Sequence, residues 1–262
     1  MGSLKKIALR YWDVTACTYE ELLAEMDVWR QDGGRHFACF CDANVLAHGW
    51  LNPRLAAAYR AADAVFADGG VTKRLGRICG GVLPTRVTGP QLFPQALAYG
   101  LARGWRHFFY GAGPGVAEEL ADAMRARFPG VAIVGTYTPP FGEPSAEEWA
   151  RQKAAIASAK PDFLWVALGS PKQEMWCARH IRDLAVPVLL PVGAVFDFYT
   201  GRVPQVPEWV HRAGICWLWR MLTGGRRTLR RNIWCVPRAA AILLREFVRV
   251  RLLRRPVRAL GA

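Results

Sequence analysis

The stretch Phe163-Leu-Trp-Val-Ala-Leu-Gly169-Ser-Pro-Lys-Gln-Glu174 runs from six apolar residues straight into a hydroxyl, an ammonium, an amide and a carboxylate. Such a set can hold an anion or a sugar and move a proton. In open parallel sheets ligands bind beyond the carboxyl ends of the strands, where backbone amides converge and a following helix points its N-terminus at any anion. Gly169, Ser170, Lys172, Gln173 and Glu174 stand at that place in the sequence. The same residues also fit a plain strand-to-helix turn with Ser170 as cap and Pro171 as first helical position.

Three further groups have chemical potential. In Tyr110-Gly-Ala-Gly-Pro-Gly115, Gly111 and Gly113 let the backbone approach a phosphate, which suits a nucleoside diphosphate or serves a purely structural turn. No acidic residue follows about 20 positions later, since Val131-Ala-Ile-Val134 leads into Gly135, so NAD is disfavoured and no cofactor is expected. Asp68 follows an apolar run and precedes two glycines. Its carboxylate suits a general base for a sugar hydroxyl, or alternatively a helix cap or Asx turn. Arg86 offers a planar fork that matches phosphate oxygens. Asp197, flanked by aromatics in Gly193-Ala-Val-Phe-Asp-Phe-Tyr-Thr-Gly201, is either a buried structural acid or a substrate ligand.

The elements that must position these groups are short apolar runs, several ending at glycine: Phe37–Phe40, Ala64–Phe66, His107–Tyr110, Val131–Val134, Phe163–Leu168 and Val186–Val192. Helical patterns over Val116–Phe128 and Glu147–Ala159 alternate with them, which predicts βαβ units and a parallel sheet in an α/β fold. Cys39 and Cys41 alternate on one predicted strand and face the same side as core thiols. The seven cysteines are odd in number and scattered, giving neither a disulfide framework nor a zinc site, and no metal is expected.

A length of 262 residues with 52% hydrophobic content suits one large α/β domain with an appendage. No run approaches the roughly 18 apolar residues of a membrane span, and the N-terminus lacks a signal-like apolar region, so the protein is expected in the cytosol. The charge is uneven. From Arg202 onward, fourteen arginines face only Glu208 and Glu246, which accounts for +12 of the total +14 and leaves about +2 for the rest. The boundaries are therefore set at residues 1–201 for the core and 202–262 for an arginine-rich helical appendage. Its tryptophans and Arg220, Arg226, Arg227, Arg230 and Arg231 suit the interface of an anionic membrane. Such a stretch could equally bind nucleic acid or pack onto the core.

In their order, Ala67-Asp-Gly69, Arg86-Val-Thr-Gly89, Tyr110-Gly-Ala-Gly113, Ala167-Leu-Gly-Ser-Pro-Lys-Gln-Glu174, Gly193-Ala-Val-Phe-Asp-Phe-Tyr-Thr-Gly201 and Trp217-Leu-Trp-Arg-Met-Leu222 resemble the WecG/TagA/CpsF glycosyltransferase family. The resemblance implies a Rossmann-like, mostly parallel sheet and an inverting, metal-independent transfer. A sugar, typically N-acetylmannosamine, passes from a UDP donor to the 4-hydroxyl of a saccharide on undecaprenyl diphosphate. On this likeness Asp68 matches the family's base, Arg86 the arginine near the diphosphate and Gln173 the pocket glutamine. The arginines after Trp219 match an appendage that helps close the site and docks on the inner face of the membrane. Partners implied are a UDP-sugar, the lipid-linked acceptor and an anionic membrane surface, without nucleic acid; a homo-oligomer is left open.

Two departures bear on specificity. Phe40-Cys-Asp42 stands where the family usually has Thr-x-Asn, so Asp42 is placed among the substrate-binding residues and glucose or another hexose becomes a donor alternative. Gly224-Gly225 replaces a more usual acidic-proline turn. The competing reading is a non-enzymatic cationic module for RNA or anionic membranes, set apart by binding of RNA rather than UDP and by steep salt dependence.

Overall fold

The structure is a computed structural model that describes residues 4–9, 11–204, 206, 207, 210, 218, 219, 222 and 225–254. In chain order the elements are β1 (Lys5–Ala8), β2 (Asp13–Ala16), α1 (Tyr19–Trp29), β3 (His36–Cys41), α2 (Ala43–Leu51), α3 (Pro53–Ala61), β4 (Ala64–Ala67), α4 (Gly70–Ile78) and α5 (Gly89–Gly100). There follow β5 (Arg106–Gly111), α6 (Val116–Arg127), β6 (Ala132–Tyr137), α7 (Ala146–Ala159), β7 (Phe163–Ala167), α8 (Lys172–His180), β8 (Val188–Pro191) and α9 (Val195–Tyr199). A long α10 (Gly225–Phe247) ends in a π-helical turn, Val248–Leu252.

All six predicted strands join one sheet in the order β4-β3-β8-β7-β5-β6, and every pairing in it is parallel. β6 runs on to Tyr137, beyond the predicted Val134, and β8 is shorter than its apolar run. The expected α/β architecture with a helical C-terminal segment is present, and a separate antiparallel hairpin, β1–β2, accompanies it. The hairpin is tied to the sheet by the Val65 N–H donating to the Thr15 hydroxyl at 3.1 Å.

Period-two alternation sends side chains of each strand to opposite faces, and each face is covered by helices. On one face Phe40, Phe66, Phe109, Trp165 and Leu190 pack against α1, α5, α6 and α9. On the other Phe37, Cys39, Cys41, Phe108, Tyr110 and Leu164 pack against α2, α3, α7 and α8, with Ile242 of α10 reaching the same cluster. Cys39 and Cys41 are fully buried there, as core thiols. Helix starts follow local chemistry: Thr18 and Glu21 form a capping box before α1, and Asn52, Thr88 and Ser145 cap α3, α5 and α7.

The two faces explain where a crevice opens. β5 leads into α6 on the first face while its neighbour β7 leads into α8 on the second, so the chain diverges between Gly111 and Gly169. Gly111 adopts φ +105° there, and the Ala112 N–H donates to the Ala167 carbonyl at 2.7 Å. A Cβ on Gly111 would stand 2.6 Å from that carbonyl oxygen. Gly111→Ala is therefore expected to destabilise the fold by roughly 2–4 kcal/mol, through clash and a disfavoured φ together. A urea midpoint equal to that of the wild type would remove this account of the turn.

Candidate active site

Asp68 and Asp42 stand at the carboxyl ends of the paired strands β4 and β3. One carbonyl holds them together: Cys41 O accepts from the Asp68 N–H at 3.1 Å and from the buried Thr72 hydroxyl at 2.7 Å. Gly69 lies against Asp42, with the position of an added Cβ 3.5 Å from Asp42 Cα. The N-cap of α4 is Gly69, so Asp68 is not that helix's cap. Asp42 does cap a helix, its Oδ1 accepting from the Val45 N–H at 2.8 Å. Both aspartates are half-buried.

Arg86 comes to the same edge through Tyr19, a residue that the motifs gave no reason to single out. The Tyr19 hydroxyl donates to Gln91 Oε1 at 2.8 Å and to the Arg86 carbonyl at 3.2 Å, and accepts from the Thr88 N–H at 3.0 Å. Burial raises the Tyr19 phenol; the Thr88 bonds and Arg86 act against this, and Asp68 adds to it. Thus a carboxylate and a guanidinium 18 positions apart in sequence both act on one phenol. The capping box of α1 marks the helix start at Tyr19, but nothing local to it points 67 residues ahead to Arg86.

Gln173 and Glu174 are buried, at 3% and 2% exposure, in the first turn of α8. Gln173 Oε1 accepts from the Gly169 N–H at 3.1 Å, and its Nε2 donates to Glu174 Oε1 at 3.3 Å. The amide also lies against Gly193 at the end of β8, where an added Cβ would be 3.4 Å from Nε2. Gln173 therefore spans the ends of β7 and β8, between Gly111 on one side and Asp42 on the other. Burial pushes the Glu174 carboxyl up to about 7, with Asp42 adding to the rise and its own backbone, Gln173 and Ser170 opposing it. Gly169, Ser170 and Lys172 are exposed, and α8 begins at Lys172 after Pro171.

The glycine turn after β5 is open, with Gly113 exposed, but the first turn of α6 carries Glu118 and Glu119. These carboxylates meet the positive end of the helix dipole, and Glu119 pairs with Arg202. Asp197 is half-buried on α9, whose Phe196 packs on Phe109; burial raises its carboxyl while Arg202 acts against this. Among the described residues no group of three or more His, Cys, Asp and Glu side chains is placed to hold a metal ion.

Of the arginines singled out in the appendage, Arg220 lies outside the described residues, as do the side chains of Arg227 and Arg231; Arg226 and Arg230 are exposed on α10. This helix buries Cys235, Ala239 and Ile242, and Trp234 meets His48 of α2 with ring centroids 4.5 Å apart. The Arg251 guanidinium donates to the Arg77 carbonyl at the end of α4. The outward side carries Leu229, Ile233, Leu244 and Phe247, all exposed, beside Arg226, Arg230 and Arg245. No described helix is long and apolar enough to cross a membrane.

Comparison with known proteins adds to this geometry. The model of the glycosyl transferase WecG/TagA/CpsF family matches residues 8–253. An N-acetylglucosaminyldiphosphoundecaprenol N-acetyl-beta-D-mannosaminyltransferase of Bacillus spizizenii is 28% identical over 195 residues, 74% of this chain and 73% of that protein. The protein of the same name from Bacillus subtilis is 25% identical over 182 residues, 70% of this chain and 68% of its own.

The buried acid has a measurable consequence for stability. Its folded value lies above the ordinary 4.5, so the associated stability is complete below about 4.5 and is lost as the pH rises through about 7. The total is on the order of 3 kcal/mol. Glu174→Gln cannot ionise, so its unfolding free energy relative to the wild type is expected to rise from about pH 5 and to level off above about pH 7. A difference independent of pH would show that Glu174 ionises as an exposed acid does.

Proposed function

The chain belongs to the WecG/TagA/CpsF glycosyl transferase family, and from that premise we propose that it moves a hexose or N-acetylhexosamine from a UDP-sugar to a saccharide on undecaprenyl diphosphate. The names of the two Bacillus relatives support the lipid-linked acceptor and an N-acetylmannosamine-type donor. The observation that carries the mechanism is the joint placement of Asp68 and Arg86, whose charges both act on Tyr19 at one sheet edge.

In the proposed step Asp68 takes the proton of the acceptor hydroxyl as its oxygen attacks the anomeric carbon. The bond from that carbon to the UDP oxygen breaks on the opposite face, UDP leaves with the electron pair, and the configuration inverts. Arg86 offsets the charge gathering on the diphosphate, so the donor's phosphates lie toward it and no metal is invoked. Gln173 offers an amide N–H to a substrate oxygen, while Gly169, Ser170, Lys172, Gly111 and Gly113 line the crevice for the rest of the donor. Asp42, with one oxygen engaged in capping, turns the other toward a sugar hydroxyl, which favours a hexose. Asp197 takes part from the β8 side.

We place residues 202–262 as a membrane-associating appendage at the inner face of the cell membrane. The exposed apolar row of α10, with arginines beside it, supports a helix lying in a lipid interface.

Asp68→Asn is expected to lower kcat by about 10²–10⁴-fold while UDP affinity and melting temperature hold. Calorimetric titration of UDP and acceptor-dependent UDP release across a panel of UDP-sugars measure this; unchanged turnover removes the base assignment. For the appendage, Arg226→Glu with Arg230→Glu is expected to weaken binding to anionic vesicles at least about tenfold, since each basic residue contributes about 1 kcal/mol near such a surface. Equal sedimentation of variant and wild type with the vesicles would separate α10 from membrane binding.

A further inference from the structure

Glu174 is an expensive residue for the place it occupies. It is 2% exposed beneath the carboxyl edge of the sheet, and its Oε2 has no hydrogen-bond partner. The groups that face it are Cys39 of β3, Tyr59 of α3, Cys177 one turn along α8, the Asp42 carboxylate at the start of α2 and Ser170 before α8. No cation is among them. A buried acid met only by neutral groups and a like charge lowers stability, and an apolar side chain of similar size fills such a space better. Packing therefore gives no reason for a carboxyl here.

Its bond to Gln173 gives one. Among the described residues the Gln173 amide makes two hydrogen bonds, accepting from Gly169 N–H and donating to Glu174 Oε1. An ionised carboxylate accepts only, so it requires the NH2 end of the amide on its own side and leaves the carbonyl for Gly169. The second N–H of Nε2 is then uncommitted, beside Gly193 at the end of β8. With the amide turned over, a carbonyl oxygen would stand there and repel the oxygens of a sugar or a phosphate.

We propose that Glu174 is a positioning residue, which fixes the Gln173 amide so that its free N–H is presented to an oxygen of the bound sugar nucleotide or acceptor sugar. This rests on the transferase reading of the site. The role also makes the site sensitive to pH. With the carboxyl raised to about 7, the ionised form that enforces the amide's orientation is lost on mild acidification. The protonated form is a weaker acceptor and leaves the Gly169 N–H alone to hold the amide's orientation.

The test uses the full chain labelled with ¹⁵N, with the Gln173 side-chain amide resonance assigned by its loss in Gln173→Ala. In the wild type this resonance is expected to titrate with a midpoint near pH 7, and in Glu174→Gln to stay fixed over the same range. Glu174→Leu is expected to raise the melting temperature yet lower kcat at pH 8 at least about tenfold, the opposite of what a structural role produces. Because Glu174 acts through Gln173, adding Glu174→Leu to Gln173→Ala is expected to change kcat by less than about twofold. A Gln173 resonance insensitive to pH overturns the proposal, as does multiplication of the two single losses. So does a Glu174→Leu protein that keeps wild-type kcat. Absence of sugar transfer by the wild type with every UDP-sugar tried overturns the transferase reading instead, and the amide resonance still decides whether Glu174 holds Gln173.

Discussion

In six parallel strands covered by helices on both faces a polar side chain needs a partner, as His107 near the start of β5 has in the Trp165 indole N–H, because one left without partners costs about 1–3 kcal/mol. Polar chemistry in this chain is therefore confined to the strand ends, and one end of the sheet collects it. Asp68, Asp42, Gly193, the Gly169–Gln173 pair, Gly111 and Thr138 follow one another along the order β4-β3-β8-β7-β5-β6. What fixes them is backbone: the Cys41 carbonyl binds the β4 end and Thr72, the Ala167 carbonyl binds Ala112, and the Gly169 N–H binds Gln173. Rigid elements thus carry the groups, as a site for group transfer requires.

The electrostatics of that edge are uneven. Three carboxyl groups, Asp42, Asp68 and Glu174, gather around the ends of β3, β4 and β7, and the Arg86 carbonyl is held by the Tyr19 hydroxyl. Asp42 and Asp68 both add to the rise of the buried Cys41 thiol, and Asp42 adds to the rise that burial gives Glu174. Glu118 and Glu119 oppose a phosphate at the glycine turn.

The sheet was legible because its strands are unbroken apolar runs bounded by glycines, and burial on both faces is what removes the polar alternation from them. The hairpin β1–β2 was not, since four-residue strands such as Lys5–Ala8 offer no pattern that exceeds chance. Within the site, Asp68 and the Gly169–Glu174 stretch were visible as polar breaks at strand ends. Tyr19 and Thr72 were invisible, because their partners are distant: Tyr19 reads as the first residue of a capped helix, and its bond to Arg86 exists only in the fold. The capping role of Asp42 was readable in principle from its position before Ala43-Asn-Val-Leu, whereas its contact with Gly69 came from strand pairing.

The kind of cation in the last 61 residues bears on the proposed acceptor. A tail built for solubility would mix lysine with acids, but this one has fourteen arginines, no lysine and two glutamates. Guanidinium groups bind phosphate through two parallel N–H bonds and shed their hydration more readily than ammonium groups. An acceptor held on a lipid diphosphate is found only where phosphates are dense, and a protein that visits it must bind that surface and leave it. On α10 the apolar row Leu229, Ile233, Leu244 and Phe247 is too narrow to span a bilayer and too exposed for a core. On the proposed membrane role, several shallow contacts of this kind, each of about 1 kcal/mol, would give binding that is reversible and set by the charge of the surface. Since α10 packs on α2, the helix that Asp42 caps, the exposed row of α10 and the carboxylate edge are joined through one helix.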